Sequence, residues 1–356
     1  MGLLNVSAES ENQTQTKSLS IHLPAIEKKQ TLALVKHRKK RSIIKNKTSI
    51  QGVISINKAF EYKKTFKKLE FSTATRIGSI NKKPKKNNQD NYFGIKNGFG
   101  YNNLHIFGVF DGHGPNGHMV SKFLETQYPI ILEKYISTLM TNPLKETYKK
   151  VFCKIISELD FQLKSSDIDI LYSGSTLLTV FLTDTDCCCV SVGDSRALIG
   201  NFDTSWNMRV LNQEHKPSDF EEKQRIEKAG GRVECLKDDL GNPIGPIRAW
   251  GNCFKSPGLA MSRALGDTFA ESFGVISEPD VNVFTLSSSD RFIVIATDGL
   301  WDSVSNQKVV ELMSRFWVLG DFTSAAESLA NYATISALSE GNYVDDITII
   351  TVFRTN

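Results

Sequence analysis

The chain has 356 residues, 40% hydrophobic and 23% charged, which excludes collagenous, fully disordered and disulfide-framework chains. No apolar run approaches the ~18 residues that a membrane-spanning helix needs, and roughly 100–200 residues per domain allows two modest domains or one large one. The net charge of +4 is uneven: residues 1–70 hold 15 Lys+Arg against 5 Asp+Glu, a net of +10, so the remainder, with 28 against 34, is −6. An acidic body suits a site rich in carboxylates better than a nucleic-acid groove.

Residues 1–70 are rich in Ser, Thr, Asn, Gln and Lys, and aromatics are few until Phe60. This composition predicts a flexible basic tail. Its densest stretch, Lys36-His37-Arg38-Lys39-Lys40-Arg41, suits an acidic partner or an import receptor. Residues 36–47 lack the aromatics that stack bases, so nucleic acid is not a required partner. Val6 stands where a myristoylation motif after Met1-Gly2 wants Ser or Thr. The first twenty residues lack the apolar stretch of a secretory signal, so the expected location is intracellular, cytoplasmic and/or nuclear.

From about Phe71 the pattern becomes that of a packed domain, residues 71–356. Tyr92–Lys96 and Leu104–Phe110 read as strands around a Gly/Asn turn at 97–103. A helix starts near Pro115 with Val120, Phe123, Leu124 and Tyr128 on one face. Residues 144–164 repeat the period with Leu144, Tyr148, Val151, Ile155 and Leu159. Strands follow at Ser175–Leu182, Cys187–Val192 and Ala197–Gly200, then a charged helix at Asp219–Ala229 ended by Gly230-Gly231. Residues 233–260 carry Gly and Pro without clear period and read as an insertion or flap. Phe292–Ala296 is a buried strand, Gln307–Phe316 and Ser324–Leu338 are helices, and Ile347–Phe353 is a closing strand. Strands come in runs and helices in pairs, without βαβ alternation, which predicts an α+β layered fold. Among six cysteines there is no CxxC pair; Cys187 and Cys189 would face one side of a strand and Cys188 the other, as small hydrophobes.

Aspartates recur where strands end. Asp111 follows Ile106–Phe110, Asp298 follows Phe292–Thr297, Asp194 sits in Gly193-Asp194-Ser195-Arg196, and Asp345-Asp346 precede the last strand. Carboxylates at strand ends, with glycines that let backbone carbonyls approach, suit hard cations such as Mg²⁺ or Mn²⁺.

Seven motifs occur in order: Val109-Phe110-Asp111-Gly112-His113-Gly114, Ser173-Gly174-Ser175-Thr176, Gly193-Asp194-Ser195-Arg196, His215-Lys216-Pro217, Pro257 through Asp267, Asp298-Gly299-Leu300-Trp301-Asp302 and Asp345-Asp346-Ile347-Thr348. Over about residues 72–354 the chain thereby resembles the metal-dependent type 2C (PPM-type) serine/threonine protein phosphatases. The resemblance implies a central β-sandwich of two antiparallel sheets flanked by pairs of antiparallel helices. It also implies a site for two Mg²⁺ or Mn²⁺ ions that activates water for direct attack on phosphoserine or phosphothreonine, with phosphorylated proteins as partners and a monomeric chain.

Carried over by residue, Asp111 resembles the carboxylate that bridges both metals, Gly112 offers its backbone carbonyl, and Asp298 and Asp345 complete the protein ligands. His113 is expected to be the general acid. In Lys85-Lys86-Asn87-Asn88-Gln89-Asp90 two departures stand out. Gln89-Asp90 replaces the usual Glu-Asp pair, and a lysine, Lys85 or Lys86, replaces the phosphate-binding arginine, giving a point charge without a bidentate fork. Asp90 and Gln89 are expected beside the metals, and Asp194 near a third, weaker ion. Ser262-Arg263 and Asp267 read as a buried polar scaffold, Trp301 as core, Thr176 and Thr348 as strand residues. Substrate selectivity is expected in the flap, about 213–260. A catalytically silent binding protein on the same fold would be signalled by loss of a metal aspartate; all are present.

Overall fold

Two segments from opposite ends of the chain find each other: Lys68–Arg76 pairs antiparallel with Ile347–Thr355 along all nine residues. The structure, a computed structural model, describes residues 68–252, 258–341 and 343–355. The chain separates into two units, Met1–Glu61 and Tyr62–Asn356, and only the second contains described residues. The basic tail with Lys36–Arg41, and also Cys253 and Pro257, therefore lie outside the described residues. Lys68–Glu70, counted with the tail by composition, already stand in the first strand.

That pair belongs to a five-stranded antiparallel sheet continued by Asp290–Ala296, Arg196–Phe202 and Trp206–Val210. A seven-stranded antiparallel sheet is built around His105–His113, with Asp90–Lys96 on one side and Leu177–Leu182, Asp186–Val192 and Asp280–Thr285 in turn on the other. Strand side chains alternate between faces, and three apolar clusters follow. Phe107, Val109, Leu178 and Val180 of one sheet meet Ile199, Ile293, Ile295 and Ile350 of the other. The opposite face of the larger sheet packs Ile106, Phe110 and Phe181 against the helices Gly117–Glu133 and Lys145–Lys164. The opposite face of the smaller sheet packs Phe292, Val294 and Phe353 against Asn306–Leu319 and Ala325–Glu340. The molecule is thus α+β, with antiparallel sheets flanked by helices. Cys187 and Cys189 lie in the inter-sheet cluster and Cys188 in the helix-covered one, as period two requires. Among the described residues no helix is long and apolar enough to cross a membrane.

The segment without legible period forms a two-stranded ribbon, Arg232–Lys237 against Pro243–Trp250, with a register shift between Glu234 and Leu236. Most of the second strand is exposed, so no buried face imposes alternation on its sequence. Beside the ribbon, the helix Phe220–Lys228 is fastened by Glu222, whose buried carboxylate accepts from Arg225 Nη2 at 2.6 Å, Arg263 Nη2 at 2.7 Å and Ser262 Oγ. Burial opposes ionisation of Glu222, but these donors outweigh it and hold its pKa far below the usual carboxylate range. A depressed pKa stabilises the fold at neutral pH, and that stability is lost as pH falls below the unfolded value of about 4.3. Glu222→Leu leaves the part-buried Arg263 with only Asp280 Oδ1, at 3.2 Å, as a carboxylate, so it is expected to cost about 1–3 kcal/mol in a denaturant titration at pH 7, and less at pH 3. An unchanged midpoint would show that the network does not hold the helix.

Candidate active site

The strand His105–His113 runs out of the core at Asp111, and a single threonine grips its main chain there. Asp111 N donates to Thr176 Oγ1 at 3.1 Å, and Thr176 N donates to Asp111 O at 2.9 Å. Thr176 is therefore not inside a continuous strand; it separates Gly174–Ser175 from Leu177–Leu182. The next residue must be glycine. A Cβ on Gly112 would stand 2.3 Å from Gly117 O and 2.6 Å from Gln89 O, closer than any side chain tolerates.

Asp90 lies opposite Asp111 in the neighbouring strand. Its Oδ2 accepts from Thr297 Oγ1 at 2.8 Å, while its buried Oδ1 has no partner among the described residues. Asp298 opens the short helix Asp298–Trp301, directly after the strand Asp290–Ala296. Trp301 Nε1 donates to Ala296 O at 2.9 Å beneath it, and its ring is buried. Burial first, and then each other's charges, push the carboxyls of Asp90, Asp111 and Asp298 well above the ordinary range. Asp345 and Asp194 add to the repulsion at both Asp111 and Asp298. Carboxyls in that condition favour a proton or a cation.

Asp194 is fully buried; Lys216 Nζ donates to its Oδ2 at 2.6 Å, and Oδ1 has no partner among the described residues. Asp302, which the sequence reading left without a role, is also raised, by burial despite nearby Lys216. Asp345 is turned toward cationic company. Its carboxylate pairs with Lys85 Nζ, accepts from Tyr343 OH at 2.9 Å and from Asp346 N at 2.8 Å. Asp346 is a stitch: its oxygens accept from Gly78 N at 2.6 Å and Gln89 N at 3.0 Å, with Lys85 Nζ at 3.5 Å. Lys86 is exposed. The Gln89 side chain donates Nε2 to Gly114 O at 2.7 Å, so it braces the loop after His113. Lys85 thus sits with the aspartates and Lys86 does not.

His113 and Asp267 form a pair, Nε2 to Oδ2 at 2.5 Å. Burial disfavours the imidazolium, but the Asp267 carboxylate overrides this by charge and hydrogen bond, and the pKa of His113 is raised. Gly174 makes the room: a Cβ there would stand 2.2 Å from Asp267 Oδ2 and 2.8 Å from His113 Nε2. Asp267 adopts φ 49°, rare for a residue with a side chain, between Gly266 and the helix Thr268–Glu271. The sequence groups Asp267 with Ser262 and Arg263 in a polar scaffold; the structure leaves those two on Glu222 and gives Asp267 to the histidine. With Nε2 so engaged, Nδ1 is the nitrogen without a partner among the described residues.

Among the described residues no three His, Cys, Asp or Glu side chains close into a ready cage for an ion, and Asp345 is the member drawn aside by Lys85. The donor set nevertheless fits hard cations. The pKa values of three mutually repelling carboxyls are raised, and Asp90 and Asp194 each hold a buried oxygen without a partner among the described residues.

The sequence pattern of the family Protein phosphatase 2C matches residues 78–341. "Probable protein phosphatase 2C 34" of Arabidopsis thaliana is 35% identical over 272 residues, 72% of this chain and 74% of its own. "Probable protein phosphatase 2C 72" of the same plant is 34% identical over 279 residues, 76% and 82%. Among solved structures, a serine-threonine phosphatase 2C from Toxoplasma gondii superposes with a TM-score of 0.67 at 25% identity, covering 80% of this chain and 94% of that one. The chain belongs to the protein phosphatase 2C family, the serine/threonine phosphatases that depend on metal.

Proposed function

We propose that the protein is a Mg²⁺- or Mn²⁺-dependent phosphatase that hydrolyses phosphoserine and phosphothreonine in proteins by direct attack of water. The observation that carries this reading is the meeting of buried Asp90 with half-buried Asp111 and Asp298 as mutually repelling carboxyls in a chain of this family. Asp111, the Gly112 carbonyl, Asp298 and Asp345 would hold two ions, with Asp90 and Gln89 beside them and Asp194 placed for a third. When bound, the ions supply Lewis acidity and a nucleophile at neutral pH. Lys85 supplies the positive charge that draws the phosphate monoester in, as a point charge. His113, whose charged form Asp267 favours, hands a proton from Nδ1 to the departing serine or threonine oxygen.

The layer order helices, sheet, sheet, helices is part of the same reading, supported by the three apolar clusters. It puts the strand ends that carry the aspartates along one edge. Hydrolysis of phosphoserine and phosphothreonine peptides is expected to vanish in excess chelator and return with Mn²⁺ or Mg²⁺. Full activity in chelator would overturn the assignment.

A further inference from the structure

At its other end the same strand opens onto a second polar cavity. The volume is about 210 Å³, and its lining includes Lys68, Lys96, Asn102, His105, Asp184 and Arg354. The pairing of strands explains why these residues meet. Arg354 lies opposite Leu69, next to Lys68, at the margin of the smaller sheet. Lys96 lies opposite His105 at the margin of the larger one, and His105 opposite Leu182, just before Thr183 and Asp184. Between His105 and Asp111 the strand rises roughly 20 Å at about 3.3 Å per residue, so the cavity is separate from the carboxylate centre.

Basic side chains outnumber acidic ones among the described lining residues. Lys68 and Lys96 share one carboxylate, Glu70, at 2.6 and 3.8 Å. The Arg354 guanidinium is 4% exposed. It donates to Ser287 O at 3.2 Å and has Asp290 at 3.9 Å, a carboxylate that Arg209 also approaches at 3.6 Å. Among the described lining residues the one carboxylate is Asp184. Burial, only partly offset by Asp290 and Asp184, pushes Arg354 down to about 10. Burial and then Lys96 lower His105, against the weaker pull of Asp184. Asn97 N donates to His105 Nδ1 at 3.3 Å, so neutral His105 carries its hydrogen on Nε2 and is a donor there.

We propose that this cavity binds a phosphate oxyanion, either the free ion or a phosphorylated side chain, between Lys68, Lys96, His105 and Arg354. Its volume is several times the roughly 30 Å³ share of a water molecule, enough for a tetrahedral oxyanion and some hydration. Lysines and an arginine with N–H donors in a partly enclosed space are the groups that recognise such an anion. Asp184, at the same rim, would favour a monoester or singly protonated phosphate that can donate one hydrogen bond back.

The test follows the His105 imidazole by NMR through a pH titration of the full chain. One arm adds inorganic phosphate, a second a peptide bearing a non-hydrolysable phosphonate, each against chloride at equal ionic strength. An anion within a few ångströms is expected to raise the His105 pKa by about one unit. In a Lys68→Gln/Lys96→Gln variant the rise is expected to be lost while the melting temperature holds, because both side chains are partly solvent-exposed. A response to the free ion alone identifies free phosphate as the ligand, and a response to the peptide identifies a phosphorylated chain. No movement of His105 at millimolar phosphate, movement of His113 alone, or an equal rise in the double variant would each overturn the proposal.

Discussion

Asp111→Asn is expected to lower hydrolysis of a phosphothreonine peptide by more than ~100-fold, since removing a group that merely supports a metal ligand already costs ~10–100-fold. The same variant is expected to melt higher than the parent chain in chelator. Burial and the charges of Asp90, Asp345 and Asp194 oppose ionisation of Asp111, so its carboxylate is a liability in the metal-free fold. An amide of the same shape removes the charge and keeps hydrogen-bonding capacity. With Mn²⁺ present the order of melting temperatures should reverse, because the parent gains more from the ion. Calorimetry with and without Mn²⁺ measures both. A variant that melts lower in chelator would mean that Asp111 is held by its neighbours and not strained by them.

His113→Gln is expected to slow turnover of phosphopeptides by ~10²–10⁴-fold. On an aryl phosphate, whose leaving oxygen needs little protonation, the loss should be much smaller. Asp267→Asn should show the same dependence on leaving group with a smaller loss, because the imidazole remains but its orientation and charge are no longer secured. Steady-state rates on the two substrate types decide the matter. Equal losses on both would assign His113 to holding structure or metal-bound solvent.

The helices and central strands were legible because each carries an apolar stripe of the right period and packs against a sheet or another layer. Val120, Leu124 and Tyr128, and Tyr148, Ile155 and Leu159, are buried as their spacing requires. Lys68–Arg76, Trp206–Val210 and Asp280–Thr285 escaped notice, because these strands are only part-buried and show no clean apolar–polar alternation, with Met208 and Val210 exposed. The aspartates of the site were visible as strand-end residues beside glycine. What joins them was not. Nothing local marks Asp267 as the partner of His113, 154 residues away, or Asp346 as the acceptor for Gly78 and Gln89. Such pairs are fixed by where strands end in space. A hint was present in the Gly266-Asp267 step, where a left-handed backbone at a residue with a side chain marks a conformation held by its surroundings.

The union of Lys68–Arg76 with Ile347–Thr355 bears on how the protein is made. Ser72 and Thr351 share a hydrogen bond across 279 positions of sequence, so the first strand has its neighbour only after that long stretch of chain has been made. Asp345, Asp346 and the closing strand leave the ribosome long after Lys68–Arg76, and synthesis at about 5–20 residues per second means that the early strand waits tens of seconds for them. A nascent chain therefore carries an unpaired, half-apolar edge for that interval, and a chain stopped before Asp345 would have neither its closing strand nor the stitch made by Asp346.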